Sequence, residues 1–152
     1  MSIIQELYNI FDNEQSKHIK KKASINLLEL EIYSNLSFLR EGLLEKLDGS
    51  SVIAGLVDDQ YRNAHESGID LESIQKKDLS EITYGEVKEF KKYKDWTTEE
   101  LIDNAYVRIN TLKKLNINKG EVDVTSRLEY LFKYLMLLTA HIKDEPVIPP
   151  EN

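Results

Sequence analysis

Arg62 and His65 are the side chains whose types and spacing come closest to a catalytic pair. They belong to the segment YRNAHE at residues 61–66, and two residues three positions apart share one face of a helix. On such a face the guanidinium can hold a phosphate group while the imidazole, which titrates near neutral pH, moves a proton. Arg62 and His65 are therefore the candidate catalytic residues of this sequence.

The run of arginine, asparagine and histidine in this segment resembles the Arg-Asn…His motif of HEPN-type ribonucleases. Those proteins are helical bundles that often act in bacterial defence or as toxins. The resemblance is confined to residues 62–65, where only Asn63 and Ala64 separate the arginine from the histidine, a shorter separation than the family's motif has. It implies a divergent HEPN-like ribonuclease or toxin-type nuclease that uses Arg62 and His65.

The same two residues also have a structural interpretation, which we favour. Arg62 has acidic residues four positions away on both sides, Asp58 and Glu66, and oppositely charged pairs at this spacing support helices. His65 lies in the last turn of the predicted helix, where the helix dipole stabilises a positively charged ring. The sequence therefore leaves enzymatic activity undecided and favours a role without catalysis.

The three histidines do not have the spacing of a metal site. In di-iron helical bundles a glutamate precedes a histidine by three residues, so that both ligands face the inside of the bundle. Glutamine, arginine and leucine stand three positions before His18, His65 and His141. The chain also has no cysteine, which removes thiolate ligands and cysteine nucleophiles. We therefore expect no metal and no cofactor.

Two lysine-rich segments, residues 17–22 and 88–96, are candidates for contact with an anionic partner. In the second, lysines alternate with aromatic residues, a pattern found in proteins that bind single-stranded nucleic acid. The aromatic residues recur every third position, however, which predicts a buried face with the lysines in water. A net charge of −7 also opposes binding to polyphosphates. The sequence thus argues against nucleic acid as a partner.

Apolar residues recur at spacings of three and four through most of the chain, which predicts helices. Four main helices are predicted: over residues 17–47, from Val52 to a stop at Ser67-Gly68, from a capping box at Thr97 and Glu100 to Asn116, and from Asp123 to Lys143. Short helices are predicted over 3–11, where Asp12 either ends the helix or lets it continue into the next one, and from a second capping box at Thr83 and Glu86 through Tyr93. The predicted fold class is all-α, an antiparallel helical bundle of four main helices with one or two additional short helices.

Two features of the predicted long helix concern the segment that follows it. Gly49, in the turn that follows this helix, is predicted to end the helix by adopting a left-handed conformation. Glu31 and Asn35 lie four residues apart beside the apolar stripe. We expect them either to hydrogen-bond each other or to specify a partner helix.

The length of 152 residues is typical of one domain. All three prolines lie near the C-terminus, so residues 1–145 are predicted to form a single helical-bundle domain and residues 146–152 a mobile tail. The most apolar stretch, residues 128–142, contains charged residues and is too short to cross a bilayer. The first residues lack the basic cluster of a secretory signal. We therefore expect a soluble, cytoplasmic protein that does not contact membranes.

The last predicted helix is apolar on more than one face, because Tyr130, Tyr134, Met136 and Leu137 extend its main stripe. Such a helix either occupies the centre of a bundle or contributes to a subunit interface, so these four residues are the interface candidates. We expect a regulatory or accessory subunit without catalytic activity, whose partner is another protein or a second copy in a homodimer. A small-ligand sensor is a third class, which no sequence feature favours or opposes.

Overall fold

The computed structural model describes residues 2–21, 27–118 and 123–149, with side chains described except over 14–21 and at 118. Within these ranges the regular structure is entirely helical, which confirms the all-α class. The α-helices are α1 (Ile3–Lys21), α2 (Leu27–Leu44), α3 (Gly49–Gly55), α4 (Asp59–Glu66), α5 (Glu81–Tyr84), α6 (Thr98–Asn118) and α7 (Thr125–Lys143). Two 3₁₀ helices cover Leu71–Ser73 and Lys88–Tyr93. No helix in the described ranges is long and apolar enough to cross a membrane.

The central element of this fold is α7, which packs against α1, α2, α5 and α6. Seven of its side chains are no more than 2% exposed: Leu128, Leu131, Phe132, Tyr134, Leu135, Leu137 and Leu138. A helix that is apolar on several faces must be enclosed by other elements. The central position therefore accounts for the broad apolar surface that the sequence shows in this segment.

The boundaries of α1 and α2 correct the predicted helices over 3–11 and 17–47. Helix α1 runs without interruption past Asp12 to Lys21, and α2 begins at Leu27 and ends at Leu44. The carboxylate of Asp12 accepts a hydrogen bond of 2.6 Å from the guanidinium of Arg40. Asp12 thus connects α1 to α2 instead of ending α1. Residues 22–26 of the predicted long helix lie outside the described residues.

The turn after α2 is made by Lys46, and the prediction that Gly49 ends it is wrong. Lys46 has a φ of 54°, and the N–H of Leu47 donates to the carbonyl of Gly42 at 2.9 Å, as in a Schellman motif. Gly49 is instead the first residue of α3. A Cβ atom at this position would lie 2.5 Å from Cγ2 of Val124. Gly49 is therefore required for a close approach rather than for a left-handed turn.

Residues 56–58 divide the predicted second main helix into α3 and α4. The buried amide of Asn35 on α2 causes this break. Its Nδ2 donates to the carbonyl of Val57 at 2.8 Å, and its Oδ1 accepts from the N–H of the same residue at 2.9 Å. Because the side chain of Asn35 pairs with both backbone groups of Val57, the chain leaves the helix here without losing hydrogen bonds.

Glu31 supports the same break from one turn earlier on α2. Its carboxylate accepts hydrogen bonds from the backbone N–H groups of Gln60 (2.7 Å) and Tyr61 (3.1 Å) in the first turn of α4. Glu31 therefore acts as an N-terminal cap supplied by another helix, where a negative charge is favoured by the dipole. Of the two predicted roles for Glu31 and Asn35, the structure shows the contact with a partner segment.

The two predicted capping boxes have different outcomes. The first is confirmed, because the N–H of Thr97 donates to Glu100 Oε1 at 3.1 Å and the N–H of Glu100 donates to Thr97 Oγ1 at 3.2 Å. The second, at Thr83, is wrong, since Thr83 lies within the short helix α5. Gly85 has a φ of 56° and ends α5 before Glu86 can take part in a cap.

The first half of the predicted tail packs onto the helices. Val147 is buried, and its N–H donates to the carbonyl of Thr83 at 2.8 Å. Ile148 packs against the same core. Prolines prevent this segment from being helical, but they do not prevent its apolar residues from packing. Residues 146–149 are therefore attached to the helices, and residues 150–152 lie outside the described residues.

Candidate functional site

Arg62 lies on the outer surface of α4, where its side chain is 63% exposed. Its guanidinium contacts Asp59 at 2.8 Å and Asp58 at 3.2 Å. The predicted pairing with Asp58 is confirmed, whereas the second ion pair is made with Asp59 in place of Glu66. The hydrogen bond to Asp59 and the charge of Asp58 raise the pKa of the Arg62 guanidinium.

His65 is half exposed and belongs to a different cluster. Its Nε2 lies 3.3 Å from Oδ1 of Asp103 on α6, and the same carboxylate oxygen accepts a hydrogen bond of 2.7 Å from the hydroxyl of Tyr61. The imidazole also packs edge-on against the ring of Tyr61, with 4.6 Å between centroids. Burial and the bond to Asp103 raise the pKa of Tyr61, so this hydroxyl stays a donor at neutral pH.

Arg62 and His65 are thus bound to separate carboxylates, Arg62 to those of Asp58 and Asp59 and His65 to that of Asp103. A phosphate group that approached the arginine would compete with two aspartates already in place. Repulsion between like charges opposes that approach. The two residues that the sequence singles out are therefore each in contact with a carboxylate on an exposed face.

Asp103 and Tyr106 are members of this cluster that the sequence did not indicate. The ring of Tyr106 stacks on the ring of Tyr61 at 4.1 Å and 4°, and its hydroxyl donates to Glu31 at 2.8 Å. Burial and the charge of Glu31 raise the pKa of Tyr106. Their positions on α6, far along the chain from α4, explain why local spacing did not reveal them.

His141 is buried near the end of α7 and joins three segments. Its Nε2 lies 2.8 Å from the hydroxyl of Thr98 at the start of α6, and that hydroxyl donates to the carbonyl of Gln75 at 2.7 Å. The hydroxyl hydrogen is committed to Gln75, so the imidazole is the donor to Thr98. Burial lowers the pKa of His141. In the part of the chain that the structure describes, no group of three or more His, Asp or Glu side chains could hold a metal ion.

The lysine-rich segment 88–96 has the predicted arrangement. Phe90 and Tyr93 are buried, whereas Lys88, Lys91, Lys92 and Lys94 are exposed. The segment forms a 3₁₀ helix, in which residues three positions apart lie above one another. The three-residue aromatic spacing therefore makes one buried edge. The side chains of the other basic segment, residues 17–22, lie outside the described residues.

Three of the four interface candidates are inside the core. Tyr134 and Leu137 are 0% exposed and Met136 is 8% exposed. The hydroxyl of Tyr134 donates to the carbonyl of Leu101 at 2.6 Å, which ties α7 to α6. Tyr130 is only half-buried and faces an open groove.

This groove lies between α6 and α7 and has a volume of about 460 Å³. Its lining, from here on the α6–α7 groove, consists of Asn104, Val107, Arg108, Thr111, Leu112, Ser126, Arg127 and Tyr130. The lining combines exposed apolar surface, above all Val107 at 60% exposure, with two arginines and several hydrogen-bond donors. A volume of this size is typical of sites that take a small molecule or a few side chains.

Tyrosines hold Arg108 in position at the wall of the α6–α7 groove. Its Nη2 donates to the hydroxyl of Tyr93 at 3.0 Å, and its guanidinium lies 4.7 Å from the ring centroid of Tyr130. The hydroxyls of Tyr93 and Tyr130 are 2.6 Å apart. Lys92 lies over the same ring of Tyr130 at 5.2 Å, so two cations face one tyrosine.

The two arginines of the groove form no ion pair with a carboxylate of the described residues. No carboxylate there lies within 4.0 Å of Arg108 or Arg127, and the lining contains no acidic residue. Nε of Arg108 is buried and has no hydrogen-bond partner among those residues. Comparison with models of protein families, with curated proteins and with solved structures gave no match.

Proposed function

We propose that this chain is a non-catalytic binding protein that serves as an accessory or regulatory subunit and docks a segment of another protein in the α6–α7 groove. The observation that supports this proposal is the composition of the groove. It presents an exposed valine, a half-buried tyrosine and two arginines together on one concave surface. Tyrosine and arginine are enriched among the residues that dominate binding energy at protein interfaces.

The scaffold around the groove favours a site that exists before the partner arrives. The two long helices that form it are tied together by the bond from Tyr134 to Leu101. Leu112 of α6 and Leu128 of α7 are both buried in the core. A rigid site loses less conformational entropy on binding than a mobile one. We therefore assign Tyr130 to the contact with the partner, and Tyr134, Met136 and Leu137 to the support of that contact.

Three further properties belong to this proposal. We propose a cytoplasmic location, no cofactor or metal in the interaction, and an antiparallel arrangement of the long helices about α7. A second copy of the chain is the competing occupant of the groove, which would make the protein a homodimer.

A photo-reactive amino acid at Val107 tests the proposal in cells. Ile82 is the matched control position, since it is 80% exposed and lies on α5, outside the groove lining. We expect one protein to be cross-linked through position 107 and not through position 82. Cross-linking to the same chain would identify the homodimer in place of a separate partner.

The purified partner then allows a quantitative test with charged variants. Val107→Lys places a bulky cation in the groove, and Ile82→Lys makes the same change outside it. We expect Val107→Lys to weaken binding at least about tenfold, the usual loss at an important interface position. Similar affinities for the two variants would contradict the assignment of the groove. Light scattering of the partner mixed with each variant measures the mass of the complex.

A further inference from the structure

We infer that the α6–α7 groove recognises a carboxylate, the side chain of a glutamate or aspartate that lies among apolar residues of the partner protein. This inference depends on the proposed function, because it specifies the chemistry of the segment that docks there. Three properties of the groove lead to it: a pre-positioned arginine, an arginine in an unfavourable place, and a local charge opposite to that of the whole chain.

Arg108 has the geometry of a receptor for an anion. The hydrogen bond to Tyr93 and the face of Tyr130 fix its guanidinium, and the tyrosines are neutral partners. These neutral partners replace part of the guanidinium's hydration, but its buried Nε has no hydrogen-bond partner among the described residues. A carboxylate compensates for the lost hydration through charge-assisted hydrogen bonds. The planar guanidinium has N–H groups spaced to match the two oxygens of a carboxylate.

Arg127 supplies the second positive charge from the opposite wall. It lies in the first turn of α7, and that turn contains no acidic side chain. The positive end of the helix dipole opposes a cation at this position. An anion bound between Arg108 and Arg127 removes that repulsion and also faces hydroxyl donors from Thr111 and Ser126.

The charge of the chain limits which anions can approach. The net charge is −7, whereas the groove lining holds two arginines and no acidic residue, a charge of +2. A polyanion such as a nucleic acid would be repelled by the rest of the surface. A single carboxylate within an apolar segment meets the positive charge only inside the groove. Its methylene groups then pack against Val107 and Leu112.

Two capped tripeptides, Ac-Leu-Glu-Leu-NH₂ and Ac-Leu-Gln-Leu-NH₂, test the inference because they differ only in the carboxylate. Each is titrated into ¹⁵N-labelled protein, and amide shifts are followed by NMR. We expect the glutamate peptide to shift amides of residues 104–112 and 126–130 and to bind at least about tenfold more tightly. Equal affinities, shifts confined to other helices, or no binding by either peptide would overturn the inference.

Charge variants establish which residues bind the carboxylate. Arg108→Gln and Arg127→Gln should each remove most of the preference for glutamate. Arg127 is exposed, so its variant tests the charge without disturbing the core. Lys76→Gln is the control, because it removes one positive charge from an exposed residue outside the groove lining. Loss of the preference in Lys76→Gln, or its retention in both arginine variants, contradicts the assignment.

Inorganic phosphate, titrated separately, distinguishes a phosphate site from a carboxylate site. Tighter binding of phosphate than of the glutamate peptide at the same residues would overturn the inference of a carboxylate. The proposed function fails by a different result, the absence of a cross-linked protein at Val107. If a protein is cross-linked there but the two peptides bind equally, the docking function stands and the carboxylate inference fails.

Discussion

The break between α3 and α4 should depend on Asn35, and replacing this residue by leucine tests the cause. Leucine has the same number and branching of side-chain heavy atoms as asparagine, with bulkier methyl groups, so Asn35→Leu removes the amide without leaving a cavity. The change deletes the hydrogen bonds of 2.8 Å and 2.9 Å to the backbone of Val57. Both backbone groups of Val57 then lose their only described partner at this point of the chain.

The expected cost follows from the burial of these two groups. A hydrogen bond contributes about 1 kcal/mol to stability, and an orphaned buried group costs about 1–3 kcal/mol. Val57 is 42% exposed, so water can partly replace the amide and the lower value applies to each bond. We therefore expect a loss of about 2 kcal/mol. For a chain of this size that corresponds to a decrease in Tm of about 4–8 °C.

Urea unfolding followed by circular dichroism measures this loss, and hydrogen exchange locates it. With a slope of about 2 kcal/mol/M, the midpoint should fall by about 1 M. The amides of Val57, Gln60 and Tyr61 should exchange faster than those of α7. Ser34→Ala is the control, because Ser34 is exposed on the same helix and its change should cost less than about 0.5 kcal/mol.

A loss in Asn35→Leu no larger than that in Ser34→Ala would refute the reasoning. It would mean that residues 56–58 leave the helix without help from α2. An altered slope would carry a different meaning, since it would show that the variant no longer unfolds in one cooperative step.

Three further predictions concern His141, the residues Arg62 and His65 on α4, and Gly49. Burial lowers the pKa of His141 from 6.5, so the unfolded chain binds a proton first and the urea midpoint should fall as the pH decreases below about 6.5, less so in His141→Gln. Wild-type protein and the Arg62→Ala/His65→Ala variant should leave a labelled RNA equally intact, and cleavage by the wild type alone would establish the nuclease alternative. Gly49→Ala should cost about 1–3 kcal/mol in the same unfolding assay because its Cβ meets Val124, and Val124→Ala should recover much of that loss in a double-mutant cycle.

Local patterns in the sequence predicted the elements that depend on local contacts. Thr97 and Glu100 bond to each other across three residues, so their types and spacing were enough to locate the start of α6. Asp123, predicted to begin the last helix, accepts a hydrogen bond from the N–H of Thr125 at 2.9 Å, although the N-cap position itself is Val124. In both cases the interacting groups are close neighbours along the chain, so residue types and spacing in one sequence are enough to predict the contact.

Two of the predictions that were wrong involve contacts between distant parts of the chain. The break at Val57 is made by a side chain 22 residues earlier. The close approach that requires Gly49 is to Val124, which belongs to the segment before α7. Neither contact can be inferred from spacing, because it depends on which helices become neighbours.

The groove escaped prediction for the same reason. Periodicity identified Tyr130 as an extra apolar residue of the last helix. Only the packing of α7 against α6 brings Arg108 over its ring and makes Tyr130 part of the groove lining. Arg127 carries a weak local signal, since a cation in the first turn of a helix is unfavourable there.

The two candidate sites can be separated by mutation because they use different faces of α6. Asp103 and Tyr106 face α4, whereas Val107, Arg108 and Thr111 face the groove. At about 100° per residue, the centres of these two faces lie about 120° apart. Substitutions on one face should therefore leave the other intact and combine additively. A variant without Arg62 and His65 that still binds the glutamate peptide would show that the groove binds it independently of these two residues.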